Sequence, residues 1–278
     1  MMIKTRFFCF LLFVFFLQIV LVSTATAVTR IMPLGNSITV GTCDNEPLEE
    51  LEGYRQKLYL DLIDQGYDVD FVGGEEAGGD ALPPFDIDHE GHGGWKADEI
   101  VNGNPDQPGE EQLDQWLVDH RPDIVLLHIG TNDISAGDNP ADIVSEVDQI
   151  LDVIFAYDPV IKVILARIIN RANFSQETND FNNLLPGMVQ AHPSRDNIFI
   201  VNQEIALNYL TDMYDNLHPN MLGYNKMADV WFDELLQILP DPDPNDDSDN
   251  SDSSGGGCFI CTVTFGCEMN FYDNVMGF

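Results

Sequence analysis

The sequence has few basic residues. Only 12 of its 278 residues are Lys or Arg, against 47 Asp and Glu. Between residues 28 and 240 the counts are 10 basic and 39 acidic, a net charge of −29. Because nucleic acid binding requires clustered Lys and Arg on phosphates, this composition excludes nucleic acid as a partner. Such an acidic surface would suit high salt or could hold Ca²⁺ through carboxylates, although no spacing matches a dedicated calcium loop.

Cysteine is also scarce. Between residues 28 and 240 there is one, Cys43, so this part of the chain cannot depend on an internal disulfide. Cys9 lies near the N-terminus, and a group near the other end comprises Cys258, Cys261 and Cys267. The C-x-x-C pair in that group is a weak zinc signal. We expect no metal or cofactor in the activity.

Long hydrophobic runs are limited to the start of the chain. Lys4 and Arg6 precede the apolar residues 7–22, and Ala-Thr-Ala follows at 25–27, which predicts a secretory signal peptide over residues 1–27. An uncleaved membrane anchor is the alternative. Residues 241–257 contain only Asp, Asn, Pro, Ser and Gly and are predicted to form an acidic linker. Residues 258–278 are a Cys-containing tail, weakly similar to terminal boxes of exported bacterial proteins, which suggests surface attachment.

Residues 28–240 are long enough for one domain with its own core. Short apolar segments, rich in Ile and Val, alternate here with amphipathic ones. This order predicts an α/β fold, a three-layer flavodoxin-like sandwich with a five-stranded parallel sheet. The predicted strands are 29–34, 68–73, 123–130, 160–168 and 197–202, and the predicted helices are 54–65, 110–120, 140–157, 178–190 and 219–239.

Polar residues are concentrated directly after the predicted strands. They lie at 35–37, 91–95 and 130–133. In open parallel sheets the binding crevice lies at the carboxyl ends of the strands, so we expect these segments to meet there. The loop of about forty residues that begins at Gly73 is long enough to suggest a functional role.

Four separated segments carry a family resemblance. They read PLGNSIT, HEGHGGW, HIGTND and DNLHPNMLGY, from residues 33, 89, 128 and 215. In this order they resemble the four blocks of the SGNH hydrolase superfamily, also called GDSL esterases. The chain departs from that pattern where Asn36 replaces Asp and where GTND replaces a double glycine. The run from residue 30 to 95 is similar to the third carbohydrate-esterase family, secreted acetyl xylan esterases.

The resemblance implies a catalytic triad. Ester hydrolysis by a serine requires a nucleophile, a base and a group that orients the base, here Ser37, His218 and Asp215. Of the six histidines, His218 is distinguished by Asp215, three residues before it, and by Pro219, which restricts its backbone to an extended conformation. Asp212 is the alternative to Asp215.

The resemblance also implies an oxyanion hole. Its donors would be the backbone N–H groups of Ser37 and Gly94 and the side-chain amide of Asn132. Glycine allows close approach of the backbone to a ligand, and Gly93 is the alternative to Gly94. Trp95 is predicted to bind substrate by stacking on a sugar ring, with a buried core position as the other interpretation.

The predicted function is a secreted serine esterase that removes acetyl groups from plant cell-wall polysaccharide, with acetyl xylan as the expected substrate. It would act through an acyl-Ser37 intermediate, as a monomer, outside the cell or attached to its surface through the tail. One alternative is another SGNH activity, such as deacetylation of a different glycan, an arylesterase or a lipase. A second is a non-catalytic carbohydrate-binding module that kept the fold.

Overall fold

The computed structural model of the chain describes residues 28–43, 46–109, 111–240 and 242. The chain divides after residue 243 into two units, and all the described residues belong to the first. The predicted signal peptide 1–27, the linker 241–257 apart from residue 242, and the tail 258–278 lie outside the described residues. Within the described ranges, no helix is both long and apolar enough to cross a membrane.

A mainly parallel sheet forms the centre of the fold. Its strand order is β3-β4-β1-β5-β6-β7, and β2 pairs with the first residues of β1 while β4 pairs with the last. Strands β3 and β4 are antiparallel, and the other pairs among the described residues are parallel. The strands are β1 Thr29–Gly35, β2 Val69–Phe71, β3 Glu75–Glu76, β4 Asp88–Gly91, β5 Ile124–His128, β6 Lys162–Arg167 and β7 Ile198–Asn202.

Helices cover both faces of the sheet. Helices α2 and α8 pack on one face, and α3, α4, α6 and α7 pack on the other. The short helices α1 and α5 follow directly after β1 and β5. The helices are α1 Ser37–Val40, α2 Gly53–Asp64, α3 Ala97–Asn102, α4 Leu113–His120, α5 Thr131–Ala136, α6 Pro140–Tyr157, α7 Gln176–Ala191 and α8 Met221–Ile238.

The central strands are buried on both faces. In β1, Ile31 packs toward α2 and α8, whereas Met32 packs toward α6 and α7. In the neighbouring strand β5, Ile124 packs on the same face as Ile31, and Val125 packs on the same face as Met32. Burying each such side chain contributes about 1.5–3 kcal/mol, which accounts for the continuous apolar runs that predicted these strands.

The predicted α/β sandwich is confirmed, but the strand count of five is wrong. All five predicted strands are present, and β3 and β4 are additional. Strand β4 reads Asp-His-Glu-Gly, and its pairing with Leu34 and Gly35 at the end of β1 places it in the sheet. Its polar sequence carries no strand periodicity, so only the tertiary pairing could identify it.

Candidate active site

Ser37 lies in a tight turn at the carboxyl end of β1. A Cβ on Gly35 would lie 2.3 Å from the His128 carbonyl oxygen, so the strand must end in glycine. Asn36 caps α1, because its Oδ1 accepts the Ile38 N–H at 3.1 Å. The amide thus performs the capping that a carboxylate would perform there. Ser37 is the first residue of α1, so its own N–H has no acceptor within the helix.

Ser37, His218 and Asp215 form a continuous hydrogen-bonded chain. The Ser37 hydroxyl lies 2.9 Å from His218 Nε2, and His218 Nδ1 lies 2.9 Å from Asp215 Oδ2. With Nδ1–H donating to the carboxylate, Nε2 is the acceptor that faces the hydroxyl. The structure therefore brings together three residues that the sequence assigned to one triad, two of them 181 positions apart.

A tight loop positions the Asp215–His218 pair. Asp215 Oδ1 accepts the backbone N–H groups of Leu217 and His218, both at 2.6 Å, and the Tyr214 N–H donates to the His218 carbonyl at 2.9 Å. Partial burial raises the pKa of Asp215, but the hydrogen bonds from His218 and Leu217 outweigh it and leave the pKa below its ordinary value. The carboxylate is therefore charged at neutral pH, as an orienting group must be.

Asp212, the alternative orienting residue, is committed to other partners. Its buried carboxylate accepts hydrogen bonds from Lys226 Nζ at 2.5 Å, the Asn208 N–H at 2.6 Å and the Thr211 hydroxyl at 2.8 Å. These bonds tie the loop to α8. The geometry thus favours Asp215 as the partner of His218.

Besides the N–H of Ser37, the proposed oxyanion donors come from the loop after β4 and from the first turn of α5. The His92 N–H donates to the Gly35 carbonyl at 2.9 Å, which holds the loop after β4 against the end of β1. Asn132 Nδ2 donates to the Trp95 carbonyl at 2.8 Å. Because an amide group carries two N–H donors, Asn132 keeps one for a substrate oxygen. Gly94 has a φ of +85°, a conformation that requires glycine in practice.

The structure does not support the predicted sugar-stacking role of Trp95. The side chain is 1% exposed, and its indole N–H donates to Gln107 Oε1 at 2.7 Å. Its ring stacks on His92, with centroids 4.4 Å apart. Trp95 is a core residue that anchors the loop, because its side chain belongs to the apolar cluster formed with Ile100 and Trp116. Local sequence alone left both interpretations open.

A buried polar cluster behind this loop was missed by the sequence analysis. His92 lies between the rings of Trp95 and Trp116, the second at 4.6 Å, and its Nε2 lies 2.7 Å from Glu90 Oε1. Glu90 is 1% exposed and also accepts the Gly74 N–H at 2.8 Å. These contacts hold the loop that carries Gly94. The block HEGHGGW contains Glu90 and His92, but nothing in it identifies Trp116 as a partner.

Arg55 is a second functional support that sequence reasoning missed. Its guanidinium is fully buried, and burial lowers its pKa to about 10, which still leaves it charged at neutral pH. It donates to five backbone carbonyls at 2.7–3.0 Å, which join α1 to two loops, the one before α2 and the one between β3 and β4. These carbonyls belong to Thr39, Val40, Leu51, Ala77 and Ile87.

A cleft of about 350 Å³ lies between the end of α1 and the loop after β4. Val40 and Thr42, shortly after Ser37, line one side, and His92 and Gly93 line another. The remaining wall contains the apolar side chains of Leu48, Leu51 and Trp95 and the polar residues Glu75, His89 and Gln107. Gly91, at the carboxyl end of β4, also lines the cleft, and the carboxyl ends of strands are where substrate sites of such sheets lie.

Comparisons with known proteins agree with this geometry. A family 3 carbohydrate esterase from Clostridium thermocellum matches with a TM-score of 0.64 and 30% identity, over 76% of this chain and 97% of that one. A mutant acetyl esterase crystallised with an acetate ion gives a TM-score of 0.64 and 28% identity, over 76% and 98%. A multidomain esterase from Ruminococcus flavefaciens is 29% identical over 241 residues, 80% of this chain but 30% of that protein.

The family model for GDSL-like lipases and acylhydrolases covers most of the domain, matching residues 34–226. That range begins at the end of β1, just before Ser37, and extends past His218 into α8. These similarities support a carboxylic ester hydrolase. The chain belongs to the GDSL-like lipase/acylhydrolase family, the SGNH hydrolases.

Proposed function

We propose that this chain is a serine esterase that removes acetyl groups from polysaccharide, with acetylated xylan as the substrate. The observation that carries the proposal is the chain of hydrogen bonds from Ser37 through His218 to Asp215, each 2.9 Å long. The Asn132 amide and the loop that carries Gly94, which the Asn132–Trp95 hydrogen bond joins, offer the donors that acyl transfer requires. The similarity to a family 3 carbohydrate esterase supports a carbohydrate substrate.

The reaction begins with attack by Ser37. Its Oγ bonds to the acetyl carbonyl carbon while His218 Nε2 takes the hydroxyl proton. The negative charge that develops on the carbonyl oxygen is stabilised by the N–H groups of Ser37, Gly94 and Asn132. Protonated His218 then gives its proton to the sugar oxygen, and the sugar leaves as an alcohol.

The second half regenerates the enzyme. Water attacks the acetyl group on Ser37 while His218 takes one of its protons. When the second tetrahedral intermediate collapses, that proton returns to Ser37 Oγ and acetate leaves. Asp215 keeps its charge throughout and stabilises the imidazolium. These steps need no metal or cofactor.

The cleft supports a preference for short acyl groups. A long acyl chain requires a continuous apolar groove. The cleft between α1 and the loop after β4 contains the apolar side chains of Leu48, Leu51 and Trp95, but the polar side chains of Glu75, His89 and His92 line it as well. We therefore assign the acetyl group to the acyl position. The mutant acetyl esterase with an acetate ion is consistent with this assignment.

The same proposal includes export. We infer that residues 1–27 direct secretion and are removed, that the protein acts as a monomer, and that residues 258–278 can attach it to the cell surface. The apolar run and the Ala-Thr-Ala pattern support export. Mass spectrometry of the protein from the culture medium should give an N-terminus at residue 28.

The decisive experiment measures acetate release from acetylated xylan and hydrolysis of nitrophenyl acetate, butyrate and octanoate. We compare the wild type with Ser37→Ala and with Ser145→Ala, a control serine on the exposed face of α6. We expect kcat/KM to fall steeply from acetate to octanoate, and only Ser37→Ala to abolish turnover.

Two results would contradict the proposal. Equal or better activity on octanoate would favour the lipase alternative. Turnover by the wild type no higher than that of Ser37→Ala would favour a non-catalytic carbohydrate-binding module.

A further inference from the structure

Three carboxylates converge at a point outside the triad. Asp98 lies in the first turn of α3, Asp133 in the first turn of α5, and Glu146 in α6. One carboxylate oxygen from each lies within 4.8 Å of the other two. Asp98 is exposed, Glu146 is half-buried and Asp133 is fully buried, so the group extends from the core to the surface.

Asp133 is the member that indicates a missing ligand. Its Oδ1 accepts the Ala97 N–H at 3.0 Å, but its buried Oδ2 has no hydrogen-bond partner in the described part of the chain. A buried carboxylate oxygen without a partner is costly, and native structures rarely retain one. The nearby ammonium of Lys96 is paired with Asp138 at 2.8 Å.

The local charge balance leads to the same conclusion. The three carboxylates carry like charges, and among the described residues none of them forms an ion pair with Lys or Arg; the ammonium of Lys96 is paired with Asp138. A cation held between them would remove the repulsion and give Asp133 Oδ2 a partner.

We propose that Asp98, Asp133 and Glu146 bind one Ca²⁺ ion. The donor set consists only of carboxylate oxygens, which Ca²⁺ prefers. Two ligands of one Ca²⁺ can be separated by at most twice the Ca–O distance of about 2.4 Å, and the three oxygens satisfy this limit. Mg²⁺ demands a near-ideal octahedron with bonds of about 2.1 Å, whereas Ca²⁺ accepts irregular sets of carboxylates. Water can complete the coordination from the exposed side of Asp98.

The site would connect three elements next to the oxyanion donors. Helix α3 begins two residues after Trp95, and Asp133 directly follows Asn132. An ion that joins α3, α5 and α6 would therefore restrict the backbone on both sides of the hydrogen bond between Asn132 and the Trp95 carbonyl. Its role is structural, and it takes no part in the acyl transfer.

The test uses the full chain after treatment with EDTA and removal of the chelator. Ca²⁺ is titrated by calorimetry, and Tm is measured with and without about 1 mM Ca²⁺, the range in which extracellular calcium sites bind. The variants are Asp98→Asn and Glu146→Gln. Asp148→Asn removes one charge from the same helix two residues away and is the matched control. The readouts do not depend on esterase activity, so they remain valid if the proposed substrate is wrong.

We expect the wild type and Asp148→Asn to bind one Ca²⁺ tightly and to gain Tm. Asp98→Asn and Glu146→Gln should each lose at least about tenfold in affinity, because ligand charge sets the strength of such sites. An equal Tm gain in all four proteins would place calcium elsewhere on the acidic surface. No calcium-dependent gain in the wild type would favour a proton shared by Asp133 and Glu146. Either result overturns the proposal.

Discussion

Replacement of Asp215 by Asn tests the triad through the tautomer of His218. In the structure, Asp215 Oδ1 accepts two backbone N–H groups at 2.6 Å, and Oδ2 accepts the imidazole N–H at 2.9 Å. In Asp215→Asn the amide oxygen keeps the two backbone bonds, so the NH₂ group must face His218 Nδ1. Two donors cannot pair. The imidazole then carries its proton on Nε2 and cannot accept one from Ser37.

The expected loss of kcat depends on how far the Asp215–His218 pair is exposed to water. A reversed tautomer in a buried serine-protease triad lowers kcat by about 10⁴. Asp215 is 45% exposed, so water can partly satisfy the imidazole in either tautomer. We therefore expect a loss of about 10²–10³ in kcat, or about 3–4 kcal/mol. Asp215→Ala leaves both tautomers accessible and should lose about tenfold less.

The assay is steady-state hydrolysis of nitrophenyl acetate, with thermal unfolding of each variant as a control for folding. The loss should appear in kcat with KM nearly unchanged, since Asp215 does not contact the substrate. Ser37→Ala and His218→Ala give the residual kcat of an enzyme without a working triad, because nucleophile and base act as a unit. If Asp215→Ala loses more activity than Asp215→Asn, or if neither loses more than about threefold, the tautomer argument is refuted.

Three further predictions concern groups around the triad. Asn132→Ala should lower kcat about 10²–10³-fold (about 3 kcal/mol); a change in KM alone would show that the amide does not act in the transition state. Arg55→Met should lower the free energy of unfolding by at least about 3 kcal/mol in denaturant titrations, because five buried carbonyls lose their donor; a loss below about 1 kcal/mol would contradict this. Burial and the neighbouring Asp86 raise the folded-state pKa of Asp88 to about 6, so its charge becomes destabilising as pH rises from about 4 through 6. Asp88→Asn should therefore raise the free energy of unfolding at pH 8 by about 1 kcal/mol, after allowance for solvent screening. At pH 4 it should leave that free energy unchanged. An equal effect at the two pH values would exclude titration of Asp88 as the cause.

The fold could be predicted where burial on both sides of the sheet left a continuous apolar run. Strand β5, Ile-Val-Leu-Leu-His, has all five residues buried, and its sequence alone indicates a central strand. Helix α6 could also be predicted from its sequence, and its predicted bounds 140–157 are those observed. Strand β4 could not be predicted, because its place depends on Gly35 and Leu34 rather than on its own side chains.

The candidate site likewise contains residues that the sequence indicates and residues that it does not. Ser37 and Asn132 follow buried strands, and Asp215 lies three residues from His218, so topology and local spacing agree with the assignments that the family resemblance implied. The supports of the site involve long-range partners that no local pattern encodes. Arg55, for example, finds its acceptors at sequence separations from 4 to 32 residues.

These supports explain how a polar loop can hold an oxyanion donor. The residues 91–95 contain little apolar surface of their own, apart from Trp95, so hydrophobic burial alone cannot fix them. Hydrogen bonds at both ends do so: the His92 N–H binds the Gly35 carbonyl, and the Asn132 amide binds the Trp95 carbonyl. The second bond also orients Asn132 itself. The proposed donors on Gly94 and Asn132 are therefore positioned by a contact between the loop after β4 and the first turn of α5, and a change in either segment should alter both.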